Sequence, residues 1–432
     1  MMRDELSLNY FFLNDDCILI KGALNGAIYD LKSGHVYSLT PIEKSILNYC
    51  EESKCLKTIA KLLNVPKGDI LKILQEIKRN GLGHFYKNSV FIDKNTDYNL
   101  KSLSHKPVKL DTLVIELHRR CDLNCLFCDN EEANSPRYAY CGCRKERNPR
   151  CLTIEKIKSV IREGREFNLN SIYFIGGDPF LFKEKFFKLL EYCRKRVNGI
   201  WVHTHAGNLN DEGINLLNQL EINLDIPVYS HDEKLHDNIT GTPYHYKKLI
   251  SVIETLVGKG INFNVIHYIG DFNSTHLYKT QEFFKNLGCC SVTQKFIYPK
   301  NKMAADNPFL HIYNNSKKNF PRINKDIFFR NKTGNMCLSR KLAISRTGEI
   351  APCHIIADRS LGNVKEVSIN EVLRMKEIDS YWELSKDKLE VCNECEYRYL
   401  CIDCPILEHR ADGKFYQNFY CRYNPQRAMF EE

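Results

Sequence analysis

The sequence predicts an α/β protein. At its centre is an open, partial (β/α)6 barrel, with a winged-helix-like module before it and a cysteine-rich region after it. Three observations predict this. Between residues 110 and 300, short apolar, β-branched runs alternate with amphipathic stretches, as parallel strands joined by crossover helices do. Residues 1–92 read as a hairpin, three short helices and a closing strand. Seven cysteines crowd the chain between positions 337 and 421. The expected division is a winged-helix-like domain over 1–92, a linker over 93–109, the barrel over 110–300, and a bridging region with a cysteine-rich domain over 301–432.

Composition narrows the class. With 432 residues, 43% of them hydrophobic, the chain can bury two or three cores and is not a disordered polymer. Its start lacks a basic segment followed by an apolar one, and no apolar run approaches a membrane span, so a cytoplasmic location without membrane contact is expected. Nineteen cysteines in such a compartment indicate metal or redox chemistry rather than a disulfide framework. The net charge of +9 fits a solvated basic face or an anionic cofactor.

Each element has a local signal. Residues 17–39 alternate apolar and polar around a Ser33-Gly34 turn, the mark of a hairpin. Thr40-Pro41-Ile42-Glu43 is a capping box with proline at the first helical position. A second helix covers 56–63 and stops before Val65-Pro66. A third covers 68–79 and ends at Gly81, and a closing strand covers 84–92. Residues 93–109 are polar and aperiodic, as a linker is.

The barrel opens with a buried strand at 112–117. It leads into Cys121-Asp-Leu-Asn-Cys125-Leu-Phe-Cys128, three thiols on one strand-end loop. Such a loop can wrap one corner of a cubic four-iron cluster. Four irons need four ligands, so three thiolates leave one iron open to a small chelator. Zinc sites instead favour paired C-x2-C motifs. Residues 130–150 are charged and turn-rich and carry Cys141 and Cys143, with Cys151 just beyond; they read as an inserted lid or substrate-contact loop. The first helix starts after Thr153 as its N-cap. The strand 171–175 then runs into Gly176-Gly177-Asp178-Pro179. Strands follow at 199–204, 224–230, 262–268 and 291–297, with helices at 186–196, 211–220, 242–259 and 280–287. Ligands of such a barrel sit at the C-terminal strand ends.

The triplet, spaced C-x3-C-x2-C with the aromatic Phe127 before its last cysteine, resembles the signature of radical S-adenosylmethionine (SAM) enzymes. The resemblance implies a [4Fe–4S] cluster on Cys121, Cys125 and Cys128, the catalytic centre. SAM would bind the open iron through its amino and carboxylate groups and be split to a 5′-deoxyadenosyl radical. Gly-Gly-Asp-Pro resembles the family's Gly-Gly-Glu-Pro, which holds the amino group of SAM. The resemblance therefore makes Gly176, Gly177, Asp178 and Pro179 cofactor-binding with Phe127, although aspartate reaches less far than glutamate. Thr204, at a strand end, and Ser230, in a segment that resembles the family's Ser-x-Asp stretch near the ribose and carboxylate, complete the implied set. His236 and Asp237 in that segment read as ties between loop and barrel.

The later cysteines resemble the SPASM extension of radical SAM enzymes. Cys337 is followed by Gly348 and Cys353; then come Cys392-x2-Cys395-x5-Cys401-x2-Cys404 and Cys421, one residue short in the last gap of the quartet. The resemblance implies two auxiliary [4Fe–4S] clusters, one on Cys392, Cys395, Cys401 and Cys421, the other on Cys337, Cys353 and Cys404. Residues 330–336 lack the family's further cysteine, so the second cluster is expected to keep an open iron for a substrate thiolate, Cys289 or Cys290.

The N-terminal module resembles the element that binds the leader of a ribosomally made precursor peptide by adding it as a strand. The expected function is a radical SAM peptide maturase that installs a thioether, carbon–carbon or carbon–oxygen crosslink. Its expected partners are the precursor peptide and a small electron donor such as flavodoxin or ferredoxin. Nucleic acid is not expected, because the module's second and third helices are not densely basic. An anaerobic sulfatase-maturing enzyme is the alternative, although its triplet starts near the N-terminus and 120 residues precede Cys121 here. From another class, a zinc-binding winged-helix regulator remains.

Overall fold

The computed structural model describes residues 9–94, 110–127, 151–270, 272–296, 322–354, 359–401, 421 and 423–430. Cys128, Cys404, most of the expected linker, and the insertion with Cys141 and Cys143 lie outside the described residues. Two compact units are present: Met1–Lys106, Leu310–Ser339 and Glu383–Glu432 form one, and Pro107–Phe309 with Arg340–Trp382 the other.

In the first unit, strands β2 (Cys17–Lys21), β3 (Gly26–Asp30) and β4 (Val36–Leu39) form an antiparallel sheet. Helix α1 (Pro41–Glu51) follows, with both halves of the Thr40/Glu43 capping box formed. Helices α2 (Leu56–Leu63) and α3 (Lys67–Arg79) complete the bundle. Asn64, in the left-handed region at φ 53°, ends α2. The closing strand β5 is Gly83–Tyr86, shorter than the expected 84–92. It pairs with a strand the sequence did not announce, β1 (Tyr10–Leu13). Four residues are too few for periodicity to register, and the partner lies some seventy positions away.

The sheet is buried on both faces, in strict alternation. Cys17, Leu19 and Ile28 pack against the helices with Ile46, Leu47, Ile59 and Leu74. Ile20, Ala27, Tyr29 and Leu31 pack on the other side against Phe328, Phe329, Tyr399 and Leu400.

The second unit contains β6 (Thr112–Glu116), α4 (Ile154–Glu166), β7 (Ser171–Ile175), α5 (Lys183–Arg194), β8 (Gly199–His203), α6 (Asp211–Gln219) and β9 (Asn223–Val228). Then come α7 (Glu233–Thr240), α8 (His245–Gly258), β10 (Phe263–Ile269), α9 (Leu277–Asn286) and β11 (Val292–Phe296). Thr153 caps α4 as expected. Helix α7 forms where a loop is expected; Asp232 caps it by accepting the Leu235 amide at 2.8 Å. Strands β6 to β11 are parallel and in sequence order, the open barrel the sequence predicted. Two further strands extend the sheet beyond β6: β12 (Lys341–Ile344), parallel to β6, and β13 (Ile350–Ala351), antiparallel to β12.

Leu113, Ile115, Ile172, Phe174, Ile200, Val202, Leu224, Ile226 and Val265 share one core with the helices. The alternate positions, among them Glu116, Tyr173, His203, Asp225 and Tyr268, face the concave side by the two-residue period of strands. No helix among the described residues is long and apolar enough to cross a membrane.

Leu342 in β12 is fully buried in the barrel core. Leu342→Ala should cost about 2–5 kcal/mol. Both tryptophans, Trp201 and Trp382, lie in the second unit, so their fluorescence during anaerobic urea denaturation reads this loss directly.

Candidate functional site

Beyond β6 the chain keeps its pairing for one residue, with the Leu117 amide donating to Ile175 O at 3.0 Å, and then turns into the cysteine loop. Two elements clamp that loop by its backbone. On one side is the turn after β7. The Asp178 amide donates to Arg120 O at 2.8 Å, and a Cβ on Gly177 (φ 50°) would lie 2.0 Å from that same oxygen. A Cβ on Gly176 would lie 2.5 Å from His118 O. On the other side is the C-terminal end of α7. Its unpaired carbonyls accept from the loop: Asn124 N to Thr240 O and Leu126 N to Ile239 O, both at 2.9 Å. Gly241, at φ 58°, lets Asn124 O come close; a Cβ there would be 2.2 Å from it. The glycines thus admit the chain's own backbone, where the sequence suggested approach to a ligand.

Cys121 is half-buried and Cys125 buried on this loop. Phe127 stacks with Phe272 at 6.0 Å and leans on Tyr229 at 5.3 Å, over a group formed by Ile239, Ile266 and Tyr268. Pro179 opens a single 3-10 turn, Pro179–Phe182. Asp178 is fully buried and its carboxylate is met by the protein's own donors: Thr204 Oγ1 at 2.5 Å on Oδ1, Asn208 Nδ2 at 2.7 Å on Oδ2, and His205 Nε2 at 3.3 Å. Thr204 therefore sits beneath the turn. Ser230 Oγ accepts the Asp232 amide at 3.0 Å and lies 3.2 Å from His276 Nδ1. Asp237 accepts the amides of Tyr244 and Tyr246, tying α7 to the start of α8.

Sequence reading missed Asp122, His205 and Asn208. Donor atoms of Cys121, Asp122 and His205 all lie within 4.8 Å of one another. The His205 hydrogen bond, followed by smaller favourable contacts, holds the Asp122 carboxyl down at about 2 against partial burial. Asp122 fills an unspecified place of the cysteine motif, and His205 and Asn208 follow 83 and 86 positions later, so no short motif joins the three.

In the first unit, Cys392, Cys395, Cys401 and Cys421 line one cavity together with Lys386, Arg398 and Tyr423. The Tyr397 amide points at Cys395 Sγ from 3.4 Å. Burial pushes the Cys395 thiol well up, and neighbouring Cys421 and Cys392 add to it, so a bare thiolate is disfavoured there. Four converging thiols, one amide donor and two cationic side chains fit an anionic four-iron cluster. The first unit's sheet holds this segment: Ala23 N donates to Glu394 O at 2.7 Å, Tyr29 OH to Glu396 O at 3.0 Å, and Arg398 to Lys21 O at 3.1 Å.

Cys337, half-buried, belongs to the first unit, and Cys353, buried with its Sγ 3.8 Å from His354 Nδ1, to the second. Cys289 is buried and Cys290 exposed, between α9 and β11.

Gly177→Ala should spring the loop. The expected outcome is loss of about four of roughly twelve irons per chain, measured after anaerobic reconstitution. A second prediction concerns acid. Burial first, then neighbouring imidazole charge, holds His236 and His245 at about 3. Unfolded, both protonate near pH 6.5. Between these values the unfolded chain binds more protons, so stability is complete above about 6.5 and falls with pH, by up to roughly 1.4 kcal/mol per pH unit per ring. Urea midpoints measured from pH 7.5 to 5 should decline accordingly; a flat profile contradicts the burial argument.

Residues 115–284 match the radical SAM superfamily, and residues 336–396 match SPASM, an iron–sulfur cluster-binding domain. A probable GTP 3′,8-cyclase of Methanosarcina mazei is 30% identical over 206 residues, 43% of this chain and 57% of that protein. The chain thus spans little more than half of that relative. An AdoMet-dependent heme synthase of Methanosarcina barkeri is 21% identical over 346 residues, 72% of this chain and 95% of that protein. Among solved structures, SuiB of Streptococcus suis bound to precursor peptide SuiA matches with TM-score 0.53 at 13% identity, covering 93% of this chain and 97% of that one. The enzyme anSMEcpe with bound AdoMet and Cp18Cys peptide matches with TM-score 0.53 at 17% identity, covering 72% and 93%. The chain is a radical SAM enzyme with a SPASM domain.

Proposed function

We propose that the chain is a peptide maturase that crosslinks a ribosomally made precursor peptide. The observation that carries this reading is the N-terminal module: a three-stranded sheet, three helices and the β1–β5 pair, ahead of the cysteine loop. The fold likeness to SuiB, solved with a precursor peptide, runs through 93% of the chain, whereas that to anSMEcpe covers 72%, which supports a precursor peptide as the substrate. The leader docks on the sheet of residues 1–92 as an added strand. A flavodoxin or ferredoxin delivers electrons in the cytoplasm.

Bound SAM and its [4Fe–4S] cluster supply hydrogen-atom abstraction, and the auxiliary clusters supply an electron sink. The chain's own residues supply position. Cys121 and Cys125, on the clamped loop, would hold the first cluster together with Cys128, which lies outside the described residues. Phe127 and Phe272 wall the strand ends with apolar surface that excludes water. On the concave face Asp225 accepts from Tyr173 OH and, at 3.0 Å, from Asn264 Nδ2, while Tyr268 OH lies 3.4 Å from His203 Nε2. These groups can take main-chain amides of an extended peptide.

The test uses reduced, reconstituted enzyme with SAM and precursor peptide. Cys125→Ala should abolish 5′-deoxyadenosine. Cys395→Ala should still form it but leave the peptide uncrosslinked, with its full hydrogen count by mass spectrometry. Crosslinked product from Cys395→Ala contradicts the assigned role of the auxiliary site.

A further inference from the structure

Four polar side chains join the cysteine loop to the Gly-Gly-Asp-Pro turn. His205 Nε2 lies 2.8 Å from Asp122 Oδ1 and 3.3 Å from Asp178 Oδ2. Asn208 Nδ2 lies 3.1 Å from the same Asp122 oxygen and 2.7 Å from the same Asp178 oxygen. Two donors thus bridge two carboxylates that would otherwise repel. One carboxylate adjoins Cys121 and is half-exposed; the other is fully buried beneath the turn.

The imidazole is itself held from behind. The Gly207 amide donates to His205 Nδ1 at 3.1 Å, and His245 Nε2 lies 3.3 Å from that same nitrogen. His245 Nδ1 is 3.2 Å from His236 Nε2. All three rings are at least nine-tenths buried. The Gly207 hydrogen occupies the Nδ1 lone pair, so the ring carries its proton on Nε2. The three rings thus lie in contact in a row that runs from α7 toward the two carboxylates.

We propose that His205 is a positioning residue for SAM: with Asn208 it locks Asp122 to Asp178, and so fixes the cysteine loop against the turn. Its backing rings, His245 and His236, couple that lock to the Ser230 segment. The proposal rests on the reading that this turn and loop bind SAM.

The test is SAM cleavage by reduced, reconstituted full-length enzyme, with 5′-deoxyadenosine measured against SAM concentration. His205→Ala should keep its iron, raise KM for SAM about tenfold, and change kcat less than about threefold. His205→Gln, whose amide can take the Nε2 donor place, should recover KM to within about threefold. The SAM-induced change in the EPR spectrum of the reduced cluster should need correspondingly more SAM in the alanine variant. An unchanged KM in His205→Ala, or a glutamine variant as impaired as alanine, overturns the proposal. If His205→Ala does not load iron, Asn208→Ser carries the same expected KM shift, and its absence overturns the proposal. Wild-type enzyme that cleaves no SAM would overturn the cofactor reading and the proposal with it; cleavage with unmoved KM overturns the proposal alone.

Discussion

The structure depends on a backbone clamp. The cysteine loop has few apolar side chains to anchor it, so its shape is set by main-chain bonds on both flanks: Arg120 O to Asp178 N, Asn124 N to Thr240 O, and Leu126 N to Ile239 O. Each flank needs a glycine where backbone meets backbone, Gly177 on one side and Gly241 on the other. The barrel sheet brings the two flanks to one rim, because β6, β7 and β9 end there in parallel. Loop, turn and helix end thereby become one rigid seat, and ligand thiols on such a seat are held without their own core.

The first unit solves a different problem with the same economy. A cysteine-rich segment of a few dozen residues cannot bury enough apolar surface to fold alone. Here it borrows a core. The β2–β3–β4 sheet gives one face to its own helices and the other, through Tyr29, to Phe328 and Tyr399. The Ala23 amide donated to Glu394 O, and the Arg398 guanidinium donated to Lys21 O, then register the Cys392–Cys401 stretch on that sheet.

Much of this was legible. The six barrel strands, the Thr40 capping box and the Thr153 cap announce themselves through local periodicity and short polar spacings. The cysteine triplet and the Gly-Gly-Asp-Pro turn were legible as motifs. What was not legible is non-local. The strands β1, β12 and β13 have four residues or fewer, and β12 finds its partner over two hundred residues away. Asp122, His205, Asn208 and His245 form one network only after three strand ends converge. The glycines were legible as close-approach positions, but the backbone they admit is that of residues 118–124, which spacing alone does not reveal.

The central claim is that the three-thiol loop carries a four-iron cluster with one iron reserved for SAM. The most direct measurement is metal and sulfide analysis of anaerobically purified protein, combined with EPR of the reduced sample before and after SAM is added. The account predicts iron and sulfide near twelve per chain and a spectrum that changes with SAM. A colourless protein carrying zinc, or an iron signal indifferent to SAM, would contradict it.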